Sequence, residues 1–148
     1  MITSMIVVRR AAVLAGVAVL LPLSMAAQCD TGDGVGKACG VRYAGVSVVQ
    51  GRVTDTVTPT CSPSPQAHTI LVQLELSVGG EWMGRGAGKV NTTIPDAAGF
   101  RVAVSALPCS EGVWRTSVRV DGIGPTGAAF AWRESGSERR LSLVDCAG

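Results

Sequence analysis

Apolar and polar residues alternate with a period of two along most of the chain beyond residue 40. That is the spacing of strands whose two faces meet different environments. From His68 to Val78 the residues Ile70, Val72, Leu74, Leu76 and Val78 share one parity, while Thr69, Gln73, Glu75 and Ser77 share the other and Leu71 is the exception. Gly79-Gly80 reads as a two-residue hairpin turn, and Glu81 to Ala87, carrying Trp82, as the returning strand. Phe100, Val102, Val104 and Ala106 form another inward row. Trp114, Thr116, Val118 and Val120 form the next, alternating with Arg115, Ser117 and Arg119 until Asp121-Gly122 closes the run. Ala128, Phe130 and Trp132 mark one further strand, and Leu141 and Leu143 mark the last.

Three stretches break this regularity. Val46 and Val48 lie on one parity and Val49, Gly51 and Val53 on the other, which predicts one strand over Val46–Thr54 with a bulge beside Gly51. Thr58–Ala67 holds Pro59, Cys61, Pro63 and Pro65 and predicts a rigid loop. Asn91–Gly99, with Pro95, Asp96 and Gly99, predicts a second loop. The total is about seven short strands with turn clusters between them and no helix after the N-terminal region. This is the pattern of an all-β antiparallel sandwich of the immunoglobulin or fibronectin-III type.

The first residues are of another kind. Arg9 and Arg10 precede a 13-residue uncharged apolar run, Ala11 to Leu23, and Ser24-Met25-Ala26 follows. The order of charge, apolar run and small residues predicts a secretory signal peptide over residues 1–26, cleaved after Ala26. The run is short of the ~20 residues that a membrane span requires, so a membrane is expected only through an uncleaved leader. Residues 27–43 read as a glycine-rich tail and 44–148 as the sandwich domain. Lipid attachment at Cys29 is the alternative to release, but the residue before that cysteine is Gln28, which is not small.

Removing the leader alters the charge. The chain has 13 Lys and Arg against 11 Asp and Glu; without Arg9 and Arg10 the two counts are equal. A neutral body lacks the compositional footprint of a nucleic-acid or anionic-membrane binder. The five cysteines, Cys29, Cys39, Cys61, Cys109 and Cys146, all follow the leader, and export would oxidise them. Each strand crossed carries the chain to the other pole of a sandwich. Counting strands in this way predicts Cys39–Cys109 and Cys61–Cys146, with Cys29 unpaired. A further strand at Val90–Ile94 would instead bring Cys61 to Cys109.

The motifs that carry chemistry are incomplete. Asp30-Thr31-Gly32 matches half of an aspartic-protease centre, without a second copy or flanking apolar strands. Gly32 to Lys37 is one residue short of a phosphate loop and is followed by Ala38. Asp30, Asp33 and Gly34 lack the later ligands of a calcium loop. His68, the single histidine, has no nucleophile elbow to serve and no companion ligands for zinc. Asn91-Thr92-Thr93 is a glycosylation sequon in a host that uses one. The reading is of a protein with no catalytic residues, cofactor or metal, and not an enzyme.

Two sets of side chains remain as candidates for partner binding. Trp114 and Trp132 follow the apolar parity of their strands and are expected in the core, whereas Trp82 has small neighbours and is expected to be exposed. Arg115, Arg119, Arg133 and Arg140 lie on the polar parity of the last three strands and would form a basic stripe if those strands adjoin. Glu134, Glu138, Asp121 and Asp145 are expected to blunt it.

The leader, the Cys-x-x-Gly-x-Trp-Arg form at Cys109 to Arg115 and the terminal Asp145-Cys146 resemble small exported proteins of actinobacteria with an immunoglobulin-like sandwich. The resemblance covers roughly Val41 to Cys146. It implies a fold and an extracellular location and brings no catalytic residues. The expected function is a secreted binding or adhesion module for a protein or a cell-envelope polymer. The alternative is a secreted protease inhibitor that displays the Pro-rich loop 58–66.

Overall fold

Period-two alternation becomes strand within residues 38–147, the part of the chain that the computed structural model describes. The expected leader, the tail as far as Lys37, Cys29, and the Asp30-Thr31-Gly32 and Gly32–Lys37 motifs lie outside the described residues. Nine strands form: β1 (Cys39–Tyr43), β2 (Ser47–Val49), β3 (Arg52–Cys61), β4 (Ala67–Val78), β5 (Glu81–Asn91), β6 (Val102–Ala106), β7 (Gly112–Ile123), β8 (Ala129–Ser135) and β9 (Arg139–Leu141). A single helical turn, α1 (Leu143–Ala147), ends the fold. All pairings are antiparallel and build two sheets.

In the first sheet β3 is central. Val53 and Thr54 pair with β2 and with β6, and Val57 pairs with β1 and with β6. β1 and β2 therefore continue one another along the same edge, opposite β6. In the second sheet the order is β5-β4-β7-β8, with β9 also on β7. Ser117 has Gln73 on one side and Ser135 on the other, and Trp114 has Leu76 and Arg139, so β8 and β9 likewise form one interrupted edge. Nine strands thus make seven ribbons, three facing four.

The inward rows named from the sequence meet between the sheets. Ile70, Val72, Leu74 and Leu76 of β4 and Trp114, Val118 and Val120 of β7 are buried against Val53 and Val57 of β3 and Val102, Val104 and Ala106 of β6. Leu74 and Val118 are each 1% exposed. Phe130 and Trp132 of β8 are partly buried and pack on this core. Fully burying side chains of this size stabilises by about 1.5–3 kcal/mol each, which is why the alternation, more than any single motif, determines the fold.

Several expectations are corrected. Val46–Thr54 is a hairpin and not a bulged strand: Val48 faces Val53, Val49 faces Arg52, and Gln50 and Gly51 turn the chain with φ of 51° and 69°. Positive φ at both central residues is the tight turn that suits strand twist. Cys39–Tyr43 is strand β1 and not tail. The expected loop over Thr58–Ala67 starts only after Cys61. Pro59 is tolerated within β3 because its nitrogen points away from β1; Cys61, two residues on and of the same parity, donates its N–H to the Asp96 carbonyl at 2.9 Å. Leu143 is not in a strand but starts α1, with its side chain exposed. Val90 belongs to β5, so no extra strand forms over Val90–Ile94.

The disulfides join the four expected cysteines in a different pairing, Cys39–Cys61 and Cys109–Cys146. Neither Cys39–Cys109 nor Cys61–Cys146 forms, nor does Cys61–Cys109. Crossing the sandwich by parity remains sound, but the ribbons divide at other places than the alternation suggests. Val46–Thr54 contains the end of one ribbon and the start of the next, and the last two expected strands are one. With the ribbons counted as they stand, two crossings separate Cys39 from Cys61 and two separate Cys109 from Cys146, so each pair shares a pole. Cys39 and Cys61 are direct partners across β1 and β3.

Peptide mapping of the unreduced protein is expected to recover these two linkages. Replacing both Cys109 and Cys146 by serine removes a bridge spanning 37 residues and is expected to lower unfolding stability by about 2–4 kcal/mol in denaturant titration.

Candidate binding face

The outer surface of the second sheet gathers the residues singled out from the sequence. On β7 the odd-numbered side chains Val113, Arg115, Ser117 and Arg119 face away from the core, because Trp114, Thr116, Val118 and Val120 face into it. The register of the edge ribbon adds Arg140 beside Val113, Ser135 beside Ser117 and Arg133 beside Arg119. Arg115, Arg119, Arg133 and Arg140 therefore lie on one face, along one seam. β5 brings Trp82 to the same face, opposite Ser77 of β4.

Trp82 is not the open aromatic that its small neighbours suggest. The Arg115 guanidinium lies 4.0 Å from the centre of its ring, and Trp82 is only partly exposed. The negative face of the indole attracts the cation. Arg115 Nε also donates to Glu75 Oε2 at 2.8 Å, with side-chain exposures of 24% and 16%. Glu75 and Arg115 are direct cross-strand partners, so the backbone register itself brings the charges together. The sequence reading missed Glu75. Its signal was its place on the outward parity of β4, which becomes informative only with the register.

Gln73 fills the outer face beside this triad. The register of β5 on β4 shifts between Val72 and Leu74, and Gln73 Nε2 donates to the Arg85 and Gly86 carbonyls at 2.9 and 3.3 Å. Its side chain lies where a Cβ at Gly88 would stand, so the glycines of β5 make room for it.

Of the acids expected to blunt the arginines, Asp121 does so. Its carboxylate accepts from Arg119 Nε and Nη2 at 3.1 and 3.2 Å, in an exposed pair. Glu134 faces inward with Trp132, toward Tyr43. Asp145 Oδ2 accepts from Ser142 N and Oγ at 2.7 and 2.6 Å, which holds its carboxyl below the usual range. Glu138 is exposed in the link between β8 and β9. Among the described residues, no carboxylate pairs with Arg133 or Arg140.

Beneath this face the core holds a polar connection between the sheets. Asp55 of β3 is 4% exposed and accepts from Thr116 Oγ1 of β7 at 2.6 Å. Tyr43 packs nearby with its hydroxyl buried and unpartnered; burial, then the Glu134 charge, raises its pKa. His68 is buried with Nδ1 unpartnered. Burial lowers its pKa, opposed by a backbone contact with Thr93.

Two other places fit a site less well. The Pro-rich loop, reduced to residues 62–66, is held at both ends: Ser62 N donates to Ala38 O at 2.7 Å and Gln66 N to Ile123 O at 2.8 Å. An open depression of about 350 Å³ beside Cys39–Cys61 is lined by Thr60, Ser62, Ala97 and similarly small, neutral residues.

Thr116→Val keeps the shape and leaves the Asp55 carboxylate without its hydroxyl donor, and it is expected to cost about 1–3 kcal/mol in denaturant titration. Stability should also fall on acidification. Below the ordinary histidine pKa of 6.5 the unfolded chain takes up a proton that buried His68 resists, because its folded value is lower. The His68 contribution is therefore complete above that pH and is lost as pH drops through the folded value. His68→Gln is expected to flatten this part of the profile. No family model matches the chain, and no curated protein or solved structure matches it.

Proposed function

We propose that the chain is an exported, non-enzymatic binding or adhesion module of the cell envelope or medium, and that it engages its partner through the outer face of the second sheet. The observation that carries this reading is the assembly of Arg115, Arg119, Arg133 and Arg140 on one face, with carboxylates for only two of them. An apolar face would be buried in the fold. A solvated face of a stable domain tends toward mixed, neighbouring charges, as at Arg119 and Asp121. Arg133 and Arg140 have no such partner among the described residues, and Arg133 lies directly across from a second arginine, Arg119.

The two disulfides fit an oxidising compartment, and the charged start, apolar run and Ser24-Met25-Ala26 at the N-terminus support release by a signal peptidase. Three ribbons facing four, with the edge ribbons interrupted, support an immunoglobulin or fibronectin-III type of sandwich. We read the chain as one of the small exported actinobacterial proteins that its Cys109–Arg115 and Asp145-Cys146 forms resemble.

Capture from host envelope and secreted fractions, read by mass spectrometry, checks the reading. The protein is expected to retain a component that Arg133→Glu with Arg140→Glu loses and that Arg101→Glu, beside β6 of the first sheet, keeps. Identical captures by all three proteins would overturn the sheet-face reading.

A further inference from the structure

We propose that the arginine seam of β7 and the β8–β9 edge is a binding site for a linear polyanion, a polymer that carries a phosphate or carboxylate on each repeat. This rests on the sheet-face reading above and names the chemistry of its ligand.

The register supplies the first argument. Arg119 and Arg133 are direct cross-strand partners, and like charges set opposite one another in a sheet are destabilising. Asp121 answers Arg119, and Arg133 is left facing a cation. Arg140, level with Val113, is likewise without a carboxylate among the described residues. A fold that keeps uncompensated cations in fixed register is a fold whose counter-charge arrives from outside.

Shape supplies the second argument. Arg140, Arg115, then Arg119 with Arg133 occupy successive levels of one seam from Val113 to Arg119. At ~3.3 Å per residue the stripe is roughly 20 Å long, enough for several repeats of an extended polymer. Ser135 lies in the middle of the stripe beside Ser117, which is buried, so Ser135 alone presents a hydroxyl between the cationic levels. Arg115 is held in place by Trp82 and Glu75, so its guanidinium is pre-positioned. Guanidinium groups match the planar oxygen pairs of carboxylates and phosphates.

The third argument separates a polymer from a folded acidic protein. Specific protein interfaces are built around buried aromatic or aliphatic anchors. The exposed large apolar side chains lie in loops and the C-terminal helix (Ile94, Leu107, Leu143, Val144), at strand ends (Val49, Val78, Ile123) and on β5 (Met83, Val90). None stands on the seam between Val113 and Arg119. The seam itself carries charge and the Ser135 hydroxyl, and its apolar neighbours Leu71 and Val90 lie to the β5 side of it, which suits a hydrated polymer better than a protein with a central apolar anchor. Without Arg9 and Arg10 the basic and acidic residues are equal in number, so what sets this face apart is the alignment of its cations and not an overall positive charge.

The test is titration of the full chain with inorganic polyphosphate and with polygalacturonate, using dextran as the uncharged control, by calorimetry at 50 and 200 mM salt (about these values suffice). At least one polyanion is expected to bind, and dextran is not. With two or three ion contacts, affinity is expected to fall about tenfold or more between the two salt concentrations. Arg133→Glu with Arg140→Glu is expected to weaken binding about tenfold or more at unchanged circular dichroism, and Arg101→Glu to leave it within about twofold. Preference for polyphosphate assigns the site to phosphate polymers, and preference for polygalacturonate to uronic acids. Without ligand, Arg133→Gln is expected to melt higher than the natural chain at low salt, because it removes the repulsion with Arg119. Failure of both polyanions to bind, or equal loss in the seam and Arg101 variants, would overturn the proposal. If the polymers fail while arginine-dependent capture of a protein persists, the polymer assignment falls and the sheet-face reading stands; if that capture is also indifferent to the arginines, both fall.

Discussion

The antiparallel register of β4 on β7 sets both sides of the second sheet at once. Ten consecutive positions pair, from Ala67 with Ile123 to Leu76 with Trp114. The even residues of β4 meet Val120, Val118, Thr116 and Trp114 inside the sandwich, and the odd residues meet Asp121, Arg119, Ser117 and Arg115 outside. A slip of one residue would turn arginines into the core and valines to water. Selection for the apolar rows therefore fixes the placement of the charges. Glu75 meets Arg115 because Leu74 meets Thr116, and the geometry of the proposed binding face follows from the packing behind it.

The two sheets are held in alignment by more than apolar contact, which is non-directional and tolerates sliding. Asp55 of β3 reaches across the core to Thr116 of β7, and this bond forms in one alignment only. A buried carboxylate left alone would be expensive, so any alternative stacking that separates the pair is penalised. Cys39–Cys61 ties β1 to β3 at one pole, and Cys109–Cys146 ties the start of β7 to the end of the chain at the other. Both bridges lie at the ends of the ribbons, and neither occupies the sheet faces.

β4 was legible in the sequence because its contrast between faces is almost unbroken, and the hairpin after it because Gly79 and Gly80 both take positive φ readily. The hairpin at Gln50-Gly51 was hidden. A bulge and a two-residue turn both invert parity, and Gln50 lacks the Asn or Gly signature that distinguishes the turn. That ambiguity, together with the interruption that splits β8 from β9 on one edge, propagated to the disulfides, since their assignment depends on how many times the chain crosses. The arginine stripe was legible as parity, because outward positions are outward whatever the neighbours. The cover over Trp82 was not, because it depends on β5 lying beside β4 and on Arg115 reaching across β4 from β7, and tertiary adjacency leaves no local trace.

A neutral domain with a cationic seam has a different physical character from a basic one. Uniform positive charge would attract any anionic surface from a distance and hold it without orientation. Here the carboxylates placed elsewhere cancel the distant field, and screening at physiological salt limits the seam's reach to about 8 Å. Recognition at the proposed site would then depend on close approach and on the match between the seam and the spacing of the ligand's charges. Glu75 and Trp82 belong to this design: they hold Arg115 in one orientation, and so reduce the conformational entropy that a free arginine would lose on contact. The same ion pair weakens the local field and sharpens the geometry. The spacing of the cations on this face is therefore set by the register of β7 with its neighbours, and a change in that register would alter all of them together.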